Sequence, residues 1–345
     1  MTQKITVNMA SESEISVQGH GVHTAYIETV RALNAHPEIE LICGKFDTQV
    51  ECDIVHLHTV GSKMWKKLLQ KGPKKVVSAH IVPDSLVGSL VGARYWKPFA
   101  LWYLRWFYNK ADMLLAVSSE TERDLRNMGV AAPITVLYNF IDTARYQQKT
   151  KSRTQLRQEL SLPEKGRIVV GAGQVQPRKR IDLFIETAKK CPDTRFVWLG
   201  GMPFGKVAAA AAEMKRLVES APKNVFFPGI VPLEKMVEYY QAADVFFLPS
   251  DQETFGLVVV EAAAAGLPIV LRDIPDYKDT FADNALLGAT AEDFAAHIQQ
   301  LSQDETAYET ARQNSAKIAQ RFDSKSAAGT LKEMYKTLID EQDAH

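Results

Sequence analysis

Hydrophobic positions in this sequence fall into short runs. Longer stretches separate them, in which apolar residues recur every three or four places. That alternation of strand and helix builds parallel α/β sheets. The predicted strands of the first half are Ile5–Met9, Glu40–Cys43, Ile54–His58, Lys75–Ala79, Met113–Val117 and Thr135–Leu137. A polar, basic stretch from Ala144 to Arg167 reads as a linker region carrying a short helix. A second series follows: Ile168–Gly171, Phe196–Leu199, Val225–Phe227, Val245–Leu248, Ile269–Leu271 and Ala285–Leu287. Two doubly wound domains of similar size result. Their ligands are expected beyond the carboxyl ends of the strands, hence in a cleft between the domains. The last segment, Ser324 to Asp340, reads as a polar-faced helix.

Composition narrows the class. A length of 345 residues suits two ordinary domains, and 46 % hydrophobic against 24 % charged residues excludes a disordered chain. Three cysteines, Cys43, Cys52 and Cys191, give neither a disulfide framework nor metal-site spacing, and fit a reducing cytoplasm. No uncharged apolar run reaches the ~18–20 residues of a membrane span, and the N-terminal MTQKITVNMASESE lacks the apolar core of a secretion signal.

The net charge of +0 hides an asymmetry. Between Ile54 and Ala111 there are ten lysines and arginines and one acidic residue, Asp84. Eight aromatic residues from Tyr95 to Tyr108 fall within the same block. Lys63-Met64-Trp65-Lys66-Lys67-Leu68-Leu69-Gln70-Lys71 has the composition of an interface-seeking helix. Downstream, Phe99, Trp102, Tyr103 and Trp106 share one helical face after Pro98. Trp and Tyr favour the lipid headgroup region, and lysines favour an anionic surface. Lys63, Trp65, Lys66, Lys67, Lys71, Trp102 and Trp106 are therefore the candidate membrane-binding residues. The same pattern also fits an aromatic helix packed under the first sheet with an ordinary solvated lysine face. Nucleic acid is not expected as a partner, because phosphate tracking goes with a chain that is basic overall.

Two local patterns carry chemistry. Gly19-His20-Gly21 follows the first strand and opens a helix, where glycines admit a phosphate and first-turn amides attract an anion. Thr24 breaks the GxGxxG spacing, so a dinucleotide reading is weak and a plain strand-to-helix turn stays open. The second pattern is Leu248-Pro249-Ser250-Asp251-Gln252-Glu253-Thr254-Phe255-Gly256-Leu257 with Glu261. A strand ends there in a loop and a helix begins near Phe255-Gly256. Glu253 in the loop and Glu261 in the helix can then face one cleft, suited to sugar and ribose hydroxyls. A capping acid and a solvated helix acid are the alternative.

The Glu253–Glu261 pair, with seven residues between, resembles the EX7E motif of the family 4 retaining glycosyltransferases. AADVFFLPSDQETFGLVVVEAAAAGLPIV resembles that family's donor-site block over its whole length. Val170 to Lys179, Ala116 to Thr121 and Tyr138 to Asp142 resemble further family segments in the right order. The Gly-Gln-Val-Gln-x-Arg-Lys form, with the early Gly-x-Gly-Val loop, is similar to bacterial synthases that add a second hexose to glycosyl-diacylglycerol.

The resemblance implies the GT-B fold, with two Rossmann-like domains facing across a cleft and a last helix crossing back to the first. The corresponding division is 1–150, 151–325 and 326–345. It also implies roles. Glu253 binds the donor hexose, helped by the amides of Thr254, Phe255, Gly256 and Leu257, and Glu261 binds the nucleotide ribose. Lys179 and Arg178 neutralise the departing diphosphate. Gly173 and Gln174 line the same site, Gly21 lies against the diphosphate from the first domain, and His80 lies near the donor sugar. The chain departs from the family in reading Gly173-Gln174 where many members have Gly-Arg, and Asn139-Phe140 where they have Asn-Gly. Arg180 replaces a usual glycine and is the candidate to restore the missing positive charge. No Asp-x-Asp occurs, so no cofactor and no diphosphate-bridging metal are expected.

The implied function is transfer of glucose or galactose from a UDP-sugar to α-glycosyl-diacylglycerol, at the cytoplasmic face of the membrane. The alternatives are a polyprenyl-linked or soluble acceptor, a catalytically silent GT-B subunit, and a sugar-nucleotide epimerase.

Overall fold

Among the described residues, twelve strands form, each ending within two residues of the apolar run that predicts it. The computed structural model describes residues 4–13, 21–46, 50–82, 93–202 and 209–343. Its first sheet holds β1 (Ile5–Ala10), β2 (Ile39–Cys43), β3 (Ile54–Leu57), β4 (Lys74–Ala79), β5 (Met113–Ala116) and β6 (Ile134–Val136). Their order is β2-β1-β3-β4-β5-β6, all parallel. The second sheet holds β7 (Ile168–Ala172), β8 (Arg195–Leu199), β9 (Val225–Gly229), β10 (Val245–Leu248), β11 (Ile269–Arg272) and β12 (Leu286–Gly288). Their order is β12-β11-β10-β7-β8-β9, again all parallel. β7 and β10 are buried at every position, because helices cover both faces of a parallel sheet. Continuous apolar runs, rather than alternation, therefore announce them.

The chain divides into two compact units. One runs to Asp142 and takes Phe322 and the C-terminal helix as well; the other is Thr143–Arg321. The first boundary thus falls at Asp142 rather than at residue 150, and the second at Arg321 rather than at residue 325. The first shift has a physical cause in the short helix Thr143–Gln147. Gln241 donates to the carbonyls of Tyr146 at 2.9 Å and Gln148 at 3.0 Å, and the Tyr146 ring lies against Tyr240. These bonds tie the segment to the second unit.

In the first unit, Leu331, Tyr335 and Leu338 of the helix Ser324–Asp343 pack with Val7, Met9, Tyr26, Ile54 and Val76. Each such buried side chain contributes about 1.5–3 kcal/mol. Lys332 and Lys336 reach Glu38 at 2.7 and 3.2 Å. The other layer of this core sets Met64, Leu68, Leu104, Phe107 and Tyr108 against Val55, Leu57, Val77 and Leu114.

In the second unit, the predicted linker helix is Arg153–Glu159, started by a Ser152–Gln155 capping box. Its Arg157 is buried and donates to Asp244 at 2.7 Å; Asp244 also accepts from the Ile168 amide at 2.7 Å. One carboxylate thereby fixes the start of β7 beside the start of β10.

Candidate active site

β7 and β10 are neighbours, with Val169 opposite Val245, so the loops leaving their carboxyl ends lie side by side. That adjacency brings together residues seventy-four apart in sequence. The Lys179 ammonium is bonded to Glu253 Oε1, and both side chains are buried. Arg178 Nη1 lies 3.7 Å from Glu253 Oε2 and donates to the Gln252 carbonyl at 3.0 Å. Gln174 Oε1 accepts from Gln176 at 2.6 Å, and Gln176 in turn accepts from Arg178 Nε at 3.2 Å. This relay of alternate residues aims the guanidinium. Gly173 sits at φ +140, where a side chain is strained, and a Cβ there would crowd the Lys179 stem, with Cε at 3.0 Å.

Burial raises the Glu253 carboxyl, but the charges of Lys179 and Arg178 outweigh it and hold the group below its ordinary value. Burial pushes the Lys179 ammonium down, opposed by Glu253. The pair is a charged one at neutral pH. Its contribution to stability is present above the ordinary carboxylate range and is lost as pH falls through the lowered Glu253 value.

Asp276 accepts from the Glu253 amide at 3.0 Å and fixes the loop further. Phe255 is buried against Phe281, and Gly256 adopts φ +93 immediately before the helix Leu257–Ala264. Thr254 completes that turn. Glu261 is buried in this helix and accepts a 2.9 Å hydrogen bond from Tyr240. The two carboxylates therefore have different partners: Glu253 has cations, Glu261 a hydroxyl. Arg180, the sequence candidate for an added cation, has its guanidinium engaged by Asp182 and Asp251.

In the first unit, His80 follows β4 and is buried with its Nε2 3.1 Å from His58 Nδ1. His58 stacks between His56 and His80, with ring centroids 4.5 and 5.3 Å apart. Tyr335 lies 2.6 Å from His56 Nδ1 and Ser78 2.8 Å from its Nε2. Burial lowers His56 to about 3 and His80 to about 4, so all three rings are neutral at pH 7. The His-x-His at the end of β3 carried the signal for this cluster, since alternate strand residues share a face. Gly21 is exposed at the first position of the helix Gly21–Asn34; the preceding Gly19-His20 lies outside the described residues.

The basic aromatic block divides. Leu104, Phe107 and Tyr108 are core, whereas Phe99 and Trp102 are 59 % and 62 % exposed. Phe99 stacks on Trp102 at 5.8 Å, half-buried Trp106 lies a turn beyond, and Trp106 meets exposed Trp65 at 6.3 Å. Lys63, Lys66 and Lys71 are exposed near the Trp65 end of this strip. Lys67 corrects the sequence reading. It is 0 % exposed, and its ammonium is 3.3 Å from Gln70 Oε1, because it shares the buried helix face of Met64 and Leu68. No described helix is long and apolar enough to cross a membrane.

Comparison with known proteins bears on the whole chain and its fold. The profile of glycosyl transferases group 1 matches residues 152–318, and that of glycosyltransferase family 4 matches residues 15–145. The chain is 37 % identical over 280 residues to an alpha-galactosylglucosyldiacylglycerol synthase of Streptococcus pneumoniae, covering 80 % of this chain and 74 % of that one. It is 30 % identical over 337 residues to a processive diacylglycerol alpha-glucosyltransferase of Acholeplasma laidlawii, covering 96 % and 98 %. Among solved structures, the sucrose-phosphate synthase of Thermosynechococcus elongatus shares the fold at a TM-score of 0.79 and 19 % identity, over 98 % of this chain and 100 % of that one. HepE of Anabaena, solved with UDP-glucose, shares it at 0.75 and 19 %, over 96 % and 99 %.

Proposed function

The chain belongs to the GT-B glycosyltransferases of family 4, in the company of glycosyl-diacylglycerol glycosyltransferases. On that premise we propose that it transfers glucose or galactose from a UDP-sugar to α-glycosyl-diacylglycerol with retention of configuration. The observation that carries the reading is the buried Lys179–Glu253 pair with Arg178 beside it. As the sugar leaves, negative charge develops on the diphosphate, and Lys179 and Arg178 meet it as fixed cations in a site of low dielectric. Glu253 then accepts from a hydroxyl of the donor hexose, and Glu261, with Tyr240, from the nucleotide ribose. Neutral His80 donates to or accepts from the donor sugar without adding charge. The acceptor hydroxyl attacks from the face the nucleotide leaves, and the departing phosphate takes its proton. Two similar relatives are named for diacylglycerol lipids, which supports the acceptor class.

UDP-glucose and UDP-galactose, tested in parallel with mono-glycosylated diacylglycerol in anionic vesicles, are expected to yield an α-linked product from one of them. No transfer from either, with lipid supplied, refutes the reading. Product from a UDP-sugar without any acceptor points to epimerase chemistry.

The exposed strip of Phe99, Trp102 and Trp65 beside Lys63, Lys66 and Lys71 supports docking on an anionic membrane. Replacing Lys63, Lys66 and Lys71 together by Glu is expected to weaken binding to anionic vesicles by at least ~10-fold at low salt. UDP-sugar affinity is expected to hold. A parallel fall in both would make the lysines structural.

A further inference from the structure

Arg180 closes the short turn Pro177–Lys179 and opens the helix Ile181–Lys190 in the left-handed conformation, at φ 51 and ψ 53. Glycine adopts that conformation without the clash that a Cβ brings, and an arginine there needs compensation. The side chain supplies it. Arg180 Nη2 reaches Asp182 at 2.8 Å, its Nε lies 3.0 Å from the same carboxylate, and Nη1 reaches Asp251 at 3.2 Å. Asp251 is also paired from the end of β11 by Arg272, at 2.7 Å. Its amide donates to the Arg178 carbonyl at 2.8 Å, while Arg178 donates back to the Gln252 carbonyl at 3.0 Å.

Arg180 thus follows Lys179 directly, and Asp251 stands two residues before Glu253. We infer that Arg180 is a positioning residue: through Asp251 it holds the loop that carries Glu253 in register with the turn that carries Lys179. The inference rests on the donor-site reading of those two residues. Half-exposed ion pairs of this kind add little to global stability, so its effect falls on the geometry of the reacting pair, where small misplacements cost rate.

The test compares wild type with Arg180→Gly, Arg180→Lys, Asp251→Asn and the double variant Arg180→Gly with Asp251→Asn. It reads kcat and KM for the UDP-hexose used by the wild type, together with Tm. Arg180→Gly and Asp251→Asn are expected to lower kcat by about 10-fold, with donor KM within ~3-fold and Tm within ~2 °C. Arg180→Lys keeps the charge, but its single ammonium cannot bridge Asp182 and Asp251 as the guanidinium does, so its kcat should fall between those of wild type and Arg180→Gly. The double variant should be no worse than Asp251→Asn by more than ~2-fold, since both act through one contact. An active wild type with kcat unchanged in Arg180→Gly, with a loss confined to KM, with a greater loss in Arg180→Lys than in Arg180→Gly, or with additive single losses, overturns the inference alone. A wild type that transfers no sugar overturns the donor-site reading and this inference with it.

Discussion

Lys179→Ala is expected to lower kcat by ~10²–10³-fold, the loss seen when one preorganised group facing developing charge is removed. The ammonium is buried, so water cannot replace it cheaply, and Arg178 lies farther from Glu253 and is partly committed to the Gln252 carbonyl. The substitution has a second consequence. Glu253 would lose its main counter-charge while staying buried, and such unpaired ions cost ~3–5 kcal/mol. Lower stability alone could mimic lower activity, so the two effects must be separated. Pairing Lys179→Met with Glu253→Gln removes both charges and should return most of the urea midpoint while leaving kcat low. Steady-state kinetics at saturating UDP-hexose, with urea melts beside them, read both quantities. Full turnover in Lys179→Ala would take this lysine out of the reaction.

The pairing that matters in this prediction was only half legible in the sequence. Both strands could be read because burial on two faces leaves unbroken runs such as Ile168–Ala172 and Val245–Leu248. Their adjacency could not, since strand order is set by packing between segments far apart in the chain. The family resemblance marked Lys179, Arg178, Glu253 and Glu261. It did not mark Gln176, Asp276 or Tyr240, which act on them through hydrogen bonds that exist only once the loops are adjacent. Lys67 failed for a different reason. Composition placed it with Lys63, Lys66 and Lys71 on a surface, but helical spacing from Met64 puts it on the buried face. Periodicity held the right answer there, and the charge count obscured it. Arg180 was marked in the sequence as a cation in a usual glycine's place, but its positive φ and its contact with Asp251 were not, since no residue-type rule for arginine points to them.

Acidification from pH 7 to pH 5 is expected to destabilise the N-terminal unit well before the carboxylates titrate. His56 and His80 are neutral in the fold because burial lowers them, to about 3 and about 4, from an ordinary value of 6.5. In the unfolded chain both take protons as pH falls below 6.5, so the unfolded state binds more protons than the native one and stability drops with pH. The loss begins near 6.5 and accumulates down to the folded value of each ring. At pH 5 it is about 2 kcal/mol for each of the two, a large share of the ~5–15 kcal/mol that holds a domain together. His58, lowered in the same direction and wedged between the other two rings, adds to it. The buried carboxyl of Glu253 is held below its ordinary 4.5 and contributes only under more acid conditions, so the range from 6.5 to 5 isolates the histidines. Unfolding free energies from denaturant melts followed by tryptophan fluorescence at pH 7 and pH 5 should differ by that amount, with the midpoint lower at pH 5. His58→Phe keeps an aromatic ring in the stack and removes one titrating group, so the pH dependence should shrink. Equal midpoints at the two pH values would mean that the three rings gain protons in the native protein, and that the cluster opens to water.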